Sequence, residues 1–229
     1  MSVLLLVRHG QASFGARDYD ALSDVGHEQS RVLGRSLAER GIVPDLVLRG
    51  DMRRHRETAE GLLEGAGWDV PVDVDGGWDE FDHEHVIEVH RPAYRSRTLM
   101  AADLARTFKP RKAFQELFDA ATARWLSGEF DHEYHESWPV FVDRVGAALE
   151  RTIGRTAAGG VVLVVSSGGP IGLTASHLIG GDAGLWPRLN TVCVNTGVTK
   201  VVVGSQGLSL VSFNSHGHVE RDRRLLTYR

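Results

Sequence analysis

The chain has 229 residues, 42% hydrophobic and 24% charged, which suits a folded domain with a sizeable core and excludes wholesale disorder. A formal net charge of −4 gives no general attraction to nucleic acid or to an acidic membrane, so any anion site has to be local. The single cysteine, Cys193, lies between valines, which excludes an intrachain disulfide or a cysteine-based zinc cluster and points to core packing.

At the N-terminus, SVLLLVRHG reads as a short apolar strand that ends in Arg8, His9 and a glycine. Its apolar run, Val3 to Val7, is too short for a signal peptide or a spanning helix, and a soluble cytoplasmic protein is expected. LSDVGHEQSRVLGRSLAER places Val25, Val32, Leu33 and Leu37 on one helical face, with Ser23 as cap and Gly41 as stop. PDLVLRG is a second strand, DMRRHRETAEGLLEGAG a second helix, and VPVDVDG a third, edge-like strand.

Residues from about 91 to 158 change to helical patterns such as KAFQELFDAATARWL and WPVFVDRVGAALERTIG, and are expected to form a helical cap inserted into the domain. GGVVLVVSSGGPIG then reads as a buried strand, Val161 to Val165, feeding a helix that spaces Ile171, Ala175, Leu178 and Ile179. TVCVNTGVTKVVVG and GLSLVSFN follow as two strands joined by a Gly-Ser-Gln-Gly turn, with a polar tail after them. The alternation of strands and helices predicts an α/β fold of three layers. It has a mostly parallel central sheet, helices on both faces, and one domain spanning residues 1–229.

In such a sheet, ligands gather beyond the C-terminal ends of the strands. Those ends carry Arg8-His9-Gly10, the cluster from Arg49 to Arg54, Asp79-Glu80, and Ser166 to Gly169. Arginine binds phosphate with permanent charge, an imidazole nitrogen is a nucleophile, and a carboxylic acid can protonate a leaving alkoxide. At the junction after Val165, free backbone N–H groups and a helix dipole favour an anion, although an ordinary tight turn has the same composition.

These stretches resemble the histidine phosphatase superfamily, in its phosphoglycerate mutase-like branch. LLLVRHGQAS is similar to the phosphohistidine motif, LSDVGHEQSRVLG to the first helix, and RGDMRRHRETAEGLL to the second-arginine motif, where Arg54 precedes Thr58-Ala59 by four positions. GWDEFDHEHV falls where the family carries its proton donor, and VVLVVSSGGPI resembles the last core motif. The resemblance implies a phosphatase acting on a small phosphomonoester without metal or other cofactor. His9 is then the nucleophile, Arg8 and Arg54 the phosphate clamps, Ser167 and the Gly168 N–H the rest of the clamp, and Glu80 the acid.

Two positions depart from the family pattern. Ser167 stands where the resemblance calls for a second histidine, and Gly15 where many members carry an asparagine, leaving Gln11 and Ser13 as nearby polar substitutes. The serine motivates an alternative, a weakened or inactive member that binds phosphorylated ligands or a protein partner. Mutase-type phosphotransfer is a further alternative. A serine hydrolase built on Ser167, Asp182 and His216 is also weighed, but its elbow needs a glycine where Val165 stands.

Rivals remain open at two positions: Arg49, Arg53 and Arg56 against Arg54, and Asp79 and Asp82 against Glu80. His83, three residues after Glu80, is a candidate to supply the cation that Ser167 lacks. His83, His85, His132 and His135 lie among acidic residues, but HEYH is one residue short of the zinc pattern, so no metal site is expected. Expected partners are a small phosphorylated substrate and neither nucleic acid nor membrane, with the choice between monomer and homodimer open.

Overall fold

The computed structural model describes residues 1–13 and 20–228; Gly15 lies outside the described residues. Six strands form one sheet: β1 (Ser2–Arg8), β2 (Leu46–Arg49), β3 (Val72–Val74), β4 (Val161–Ser166), β5 (Val198–Gly204) and β6 (Gly207–Ser215), in the order β3-β2-β4-β1-β5-β6. The first four run parallel, and β5 and β6 add an antiparallel edge. Eight α-helices accompany them among the described residues: α1 (Asp24–Glu39), α2 (Arg53–Ala66), α3 (His83–His90), α4 (Arg97–Ala105), α5 (Pro110–Leu126), α6 (Trp138–Gly154), α7 (Gly168–Leu178) and α8 (Leu185–Val192). The expected α/β class, with its mostly parallel sheet, is the fold observed.

The period of two along each strand decides what covers the sheet. Leu5, Val7, Val47, Leu163 and Val165 form one buried cluster with Leu33 and Leu37 of α1 and Ala59 and Leu62 of α2. The alternate residues Leu4, Leu6, Leu48, Val162 and Val164 are equally buried, which is why these strands read as continuous apolar runs. Ser23 caps α1 by accepting from the Gly26 N–H, and α2 stops at Gly67 in the left-handed conformation. Helices α1 and α2 approach closely: a Cβ on Gly34 would lie 2.1 Å from the Leu62 carbonyl oxygen.

Two expected elements differ in extent. The strand expected from TVCVNTGVTKVVVG begins only at Val198, because Thr191 and Val192 finish α8 and Thr196 turns the chain with φ of 60°. The tail is also built into the fold, since Val219 and Leu225 pack with Val194.

The chain divides into two compact units, one of Met1–Glu80 with Arg144–Arg229 and one of Phe81–Asp143, where an insertion at about 91–158 was expected. The second unit holds α3, α4 and α5, and its aromatic core stacks Phe81 on Trp125 at 4.8 Å with Phe141 and Trp138 around them. No helix among the described residues is long and apolar enough to cross a membrane.

Replacing Gly34 with alanine forces α1 and α2 apart. We expect Gly34→Ala to destabilise the fold by about 1–3 kcal/mol in urea unfolding; an unchanged midpoint would mean that the helix pair has slack.

Candidate active site

The site is assembled by strand register. Parallel pairing sets Arg8 opposite Ser166, and the His9 N–H donates to the Ser166 carbonyl at 2.9 Å, so His9 and Ser167 leave the sheet side by side. On the other side of β4, the Gly50 N–H donates to the Val165 carbonyl and brings the start of α2 to the same edge. Thr58 joins the two: its hydroxyl accepts from the Gly10 N–H at 3.0 Å and donates to the Arg54 carbonyl at 2.7 Å. This is the physical content of the Thr-Ala pair, since Ala59 beside it is core.

His9 is 6% exposed, and its Nδ1 lies 2.7 Å from the Gly10 carbonyl oxygen. A carbonyl only accepts, so Nδ1 carries the proton and the neutral ring keeps its lone pair on Nε2. Burial, then the charges of Arg54 and Arg8, hold the His9 pKa well below the usual histidine value. Asn195 donates to the His9 carbonyl at 3.1 Å, and the Thr196 N–H donates to the carbonyl of Arg8 at 3.0 Å, so the VNTG segment locks the backbone that presents the ring.

Two arginines flank His9. Arg54 is 6% exposed, its Nη1 pairs with Asp20 at 2.7 Å, and its buried Nε has no hydrogen-bond partner among the described residues. Arg8 donates to the carbonyls of Cys193 and Tyr228, the latter at 2.8 Å, so the tail reaches the site. The rivals have other tasks: Arg49 donates to the Gly50 carbonyl, Arg53 pairs with Glu57 at 2.5 Å, and Arg56 lies near Glu60 at 3.8 Å on the helix exterior.

Glu80 meets the first turn of α7, where its Oε2 accepts from the Gly169 N–H at 3.0 Å. A Cβ on Gly169 would lie 1.9 Å from Glu80 Oε1, so the second glycine of SSGG makes room for this carboxylate. The loop carrying Glu80 is held by the Ser166 hydroxyl, which donates to the Trp78 carbonyl at 2.6 Å, and by Arg144, which donates to the carbonyl of Asp79 at 2.8 Å. Asp79 instead accepts from the Asp51 N–H at 2.7 Å at the entry to α2, and Asp82 caps α3 through the His85 N–H. Burial pulls the Asp79 carboxyl upward, but His55 and the N–H groups of Asp51 and Met52 outweigh it and hold the pKa below the usual value.

Other expected binding residues are placed as follows. Gln11 is tied to the N-cap of α1, accepting from the Ser23 hydroxyl at 2.9 Å, and Ser13 donates to the Leu22 carbonyl at 3.0 Å. Gly168 begins α7 close to Asn190 and Arg8, with no room for a Cβ beside the Asn190 side-chain oxygen. His83 opens α3 in the second unit, half-buried. There His85 and His135 stack at 3.9 Å, and among the described residues no group of three or more His, Cys, Asp or Glu is arranged to hold a metal ion.

Ser167 is fully buried, and its partner was not anticipated from the sequence. His55 Nε2 lies 2.8 Å from Ser167 Oγ, and the two imidazole rings of His55 and His9 are 5.8 Å apart. Within RRHRE, only the arginines attract attention as phosphate ligands, and nothing local marks the histidine among them as buried. Asp182 and His216, the partners a serine hydrolase would need, are engaged elsewhere, with Gly184 and with Glu220. The Cys193 thiol is pushed up to about 11 by burial, in keeping with a packing role.

A buried histidine beside two arginines, at the carboxyl edge of a mostly parallel sheet, marks the candidate site of this α/β protein. Residues 4–216 match the model of the histidine phosphatase superfamily (branch 1), and the chain belongs to that family. A 2,3-bisphosphoglycerate-dependent phosphoglycerate mutase from Thermobifida fusca is 43% identical over 81 residues, covering 31% of this chain and 32% of the mutase. A mutase of the same description from Chelativorans sp. is 37% identical over 71 residues, 28% of this chain and 34% of its own. The chain thus matches about a third of the length of these curated relatives.

Among solved structures, a phosphoserine phosphatase from Entamoeba histolytica superposes with a TM-score of 0.66 at 20% identity, over 96% of this chain and 100% of its own. A phosphoglycerate mutase from Bacillus anthracis gives 0.66 at 20% identity over 95% of each chain. A mycobacterial glucosyl-3-phosphoglycerate phosphatase gives 0.61 at 20% identity over 94% and 99%.

Among the described residues three imidazoles have lowered pKa values: buried His9 and His55, and half-buried His218, which desolvation takes down to about 4. Each binds its proton less readily folded than unfolded, so its contribution to stability is present above about pH 6.5 and lost as pH falls below it. The urea midpoint is expected to drop between about pH 7 and pH 5. His218→Gln should reduce that drop; a pH-independent midpoint would contradict neutral buried rings.

Proposed function

We propose that the protein hydrolyses a small phosphomonoester through a phosphohistidine intermediate on His9, without a metal ion. The observation that carries this reading is the tautomer of His9: with Nδ1–H donated to the Gly10 carbonyl, Nε2 presents a lone pair beside Arg54, whose buried Nε is unpartnered among the described residues. Membership of the histidine phosphatase superfamily supports the same chemistry.

In the first step, His9 Nε2 attacks phosphorus in line while Arg8 and Arg54 neutralise the equatorial oxygens. The P–O bond to the alcohol breaks, and the leaving oxygen takes the proton of Glu80. In the second step, Glu80 removes a proton from water, the water oxygen attacks phosphorus, and the P–N bond breaks to restore His9. The Gly169 N–H holds the Glu80 carboxyl in place for both proton transfers.

The local identity with the mutases favours a second reading, in which the phosphoryl group returns to a product hydroxyl instead of to water. Substrate selection separates the two readings, because a mutase needs a bisphosphorylated primer and a hydrolase does not.

Turnover of an aryl phosphate is expected to survive EDTA and to vanish in His9→Ala, with an acid-labile phosphoryl adduct on His9 in quenched wild-type samples. Activity retained in His9→Ala, or lost to EDTA, would sink the reading. Arg54→Ala should cost at least about 100-fold in kcat/KM. Glu80→Gln should slow alkyl phosphates by about 100-fold or more and aryl phosphates much less, because only the poorer leaving group needs its proton; equal losses on both would remove Glu80 as the acid.

A further inference from the structure

His55 is a fully buried imidazole that the reaction above does not use. Its Nε2 sits 2.8 Å from Ser167 Oγ, and its Nδ1 lies 3.5 Å from Asp79 Oδ1. The fold makes deliberate room for it: a Cβ at Gly50 would fall 2.2 Å from His55 Nδ1 and 2.4 Å from Asp79 Oδ1. Gly50, His55, Asp79 and Ser167 therefore form one packed group, drawn from the end of β2, the first turn of α2, the loop after β3, and the start of α7. The His55 ring lies 5.8 Å from that of His9.

The three side chains have the composition of a hydrolytic triad, but Val165 stands where a serine nucleophile's turn needs glycine, and His9 already presents a free lone pair. What the group provides is a donor chain aimed at the phosphoryl site. The Asp79 carboxylate near Nδ1 favours the neutral ring's proton on that nitrogen, so that Nε2 accepts a hydrogen bond from the Ser167 hydroxyl. A dianion beside Ser167 reverses this preference, since it attracts that hydroxyl proton to itself.

We propose that His55, braced by Asp79, is the second imidazole of the phosphoryl site and acts through Ser167. When a phosphoryl dianion binds, His55 takes one proton from solvent at Nε2, keeps it, and donates a hydrogen bond through it to Ser167 Oγ, and the Ser167 hydroxyl turns to donate to a phosphoryl oxygen. The pair thereby delivers the positive charge that a serine alone lacks. His55 is a positioning residue in this scheme, and Ser167 is the group that touches substrate. Arg54 and His9 face His55 and oppose its charge; Asp79 at 3.5 Å and Asp20 favour it, and the bound dianion tips the balance.

The inference rests on the phosphohistidine reading for its kinetics but not for its binding test. Sulfate remains a dianion through the neutral range, so the pH dependence of its binding reports on the protein. In a His9→Ala background, which removes the other nearby imidazole, calorimetry should show sulfate affinity rising toward tenfold per pH unit as pH falls from about 8 to 5.5, the limit for uptake of one proton. Adding His55→Gln should flatten that profile, and adding Ser167→Ala should weaken binding and flatten it equally. In the otherwise unaltered enzyme, His55→Gln should lower kcat/KM about tenfold, the difference between a charge-assisted and a neutral donor.

Parallel pH profiles with and without His55, full kcat/KM in His55→Gln, or an acid-stable phosphoryl adduct on Ser167 would each overturn the inference. Turnover persisting in His9→Ala would instead overturn the phosphohistidine reading, while the sulfate comparison would still decide the role of His55.

Discussion

One parallel strand pairing carries the rest of the site. The register of β1 on β4, sealed by the His9 N–H to the Ser166 carbonyl, sets the ends of two fully buried strands at the same height. Beyond that height neither strand continues, because Gly10 and Gly168 lead each chain away, and both sets of side chains turn toward one point. The Gly50 N–H to the Val165 carbonyl adds β2 to the same edge. A one-residue slip in this pairing would send His9 to another height and reverse every core contact of β1, so the hydrophobic pattern that buries Leu4 to Val7 also fixes the geometry of the candidate site.

Around that edge, polar groups are arranged in two kinds of work. Thr58, Asn195, Thr196 and Gln29 hold backbone: Gln29 accepts from the Gln11 N–H at 2.8 Å and donates to the Leu225 carbonyl at 2.7 Å, joining the first loop to the tail. The arginines hold charge in a buried setting, where burial first and their charge second keep the His9 imidazole unprotonated. In the proposed reaction that setting leaves His9 neutral to attack, and the arginine charge draws a phosphoryl dianion to the same place.

The strands, α1 and α2, their caps and the strand-end residues Arg8, His9 and Ser167 are legible in the chain because they depend on short-range rules. Period-two and period-3.6 patterns identify the buried faces, Ser23 and Gly67 mark helix ends, and ligands of an α/β sheet collect at strand termini. Where a local conformation interrupts the pattern, the reading fails: the left-handed Thr196 delays β5 to Val198, and the tail described as polar closes over Arg8 and Gln29.

The amino-acid sequence on its own determined the class of fold and the strand edge that carries Arg8 and His9, because strand burial and an Arg-His pair at a strand end are local statements. Tertiary structure alone decided which arginine of RRHRE is buried, which carboxylate of DEFD meets α7, and that His55 faces Ser167. Those outcomes depend on helix rotation and on gaps such as the one at Gly50, where the missing side chain belongs to a residue five positions from the histidine it admits. No spacing rule encodes such a gap; it exists only once β2, α2 and α7 are packed.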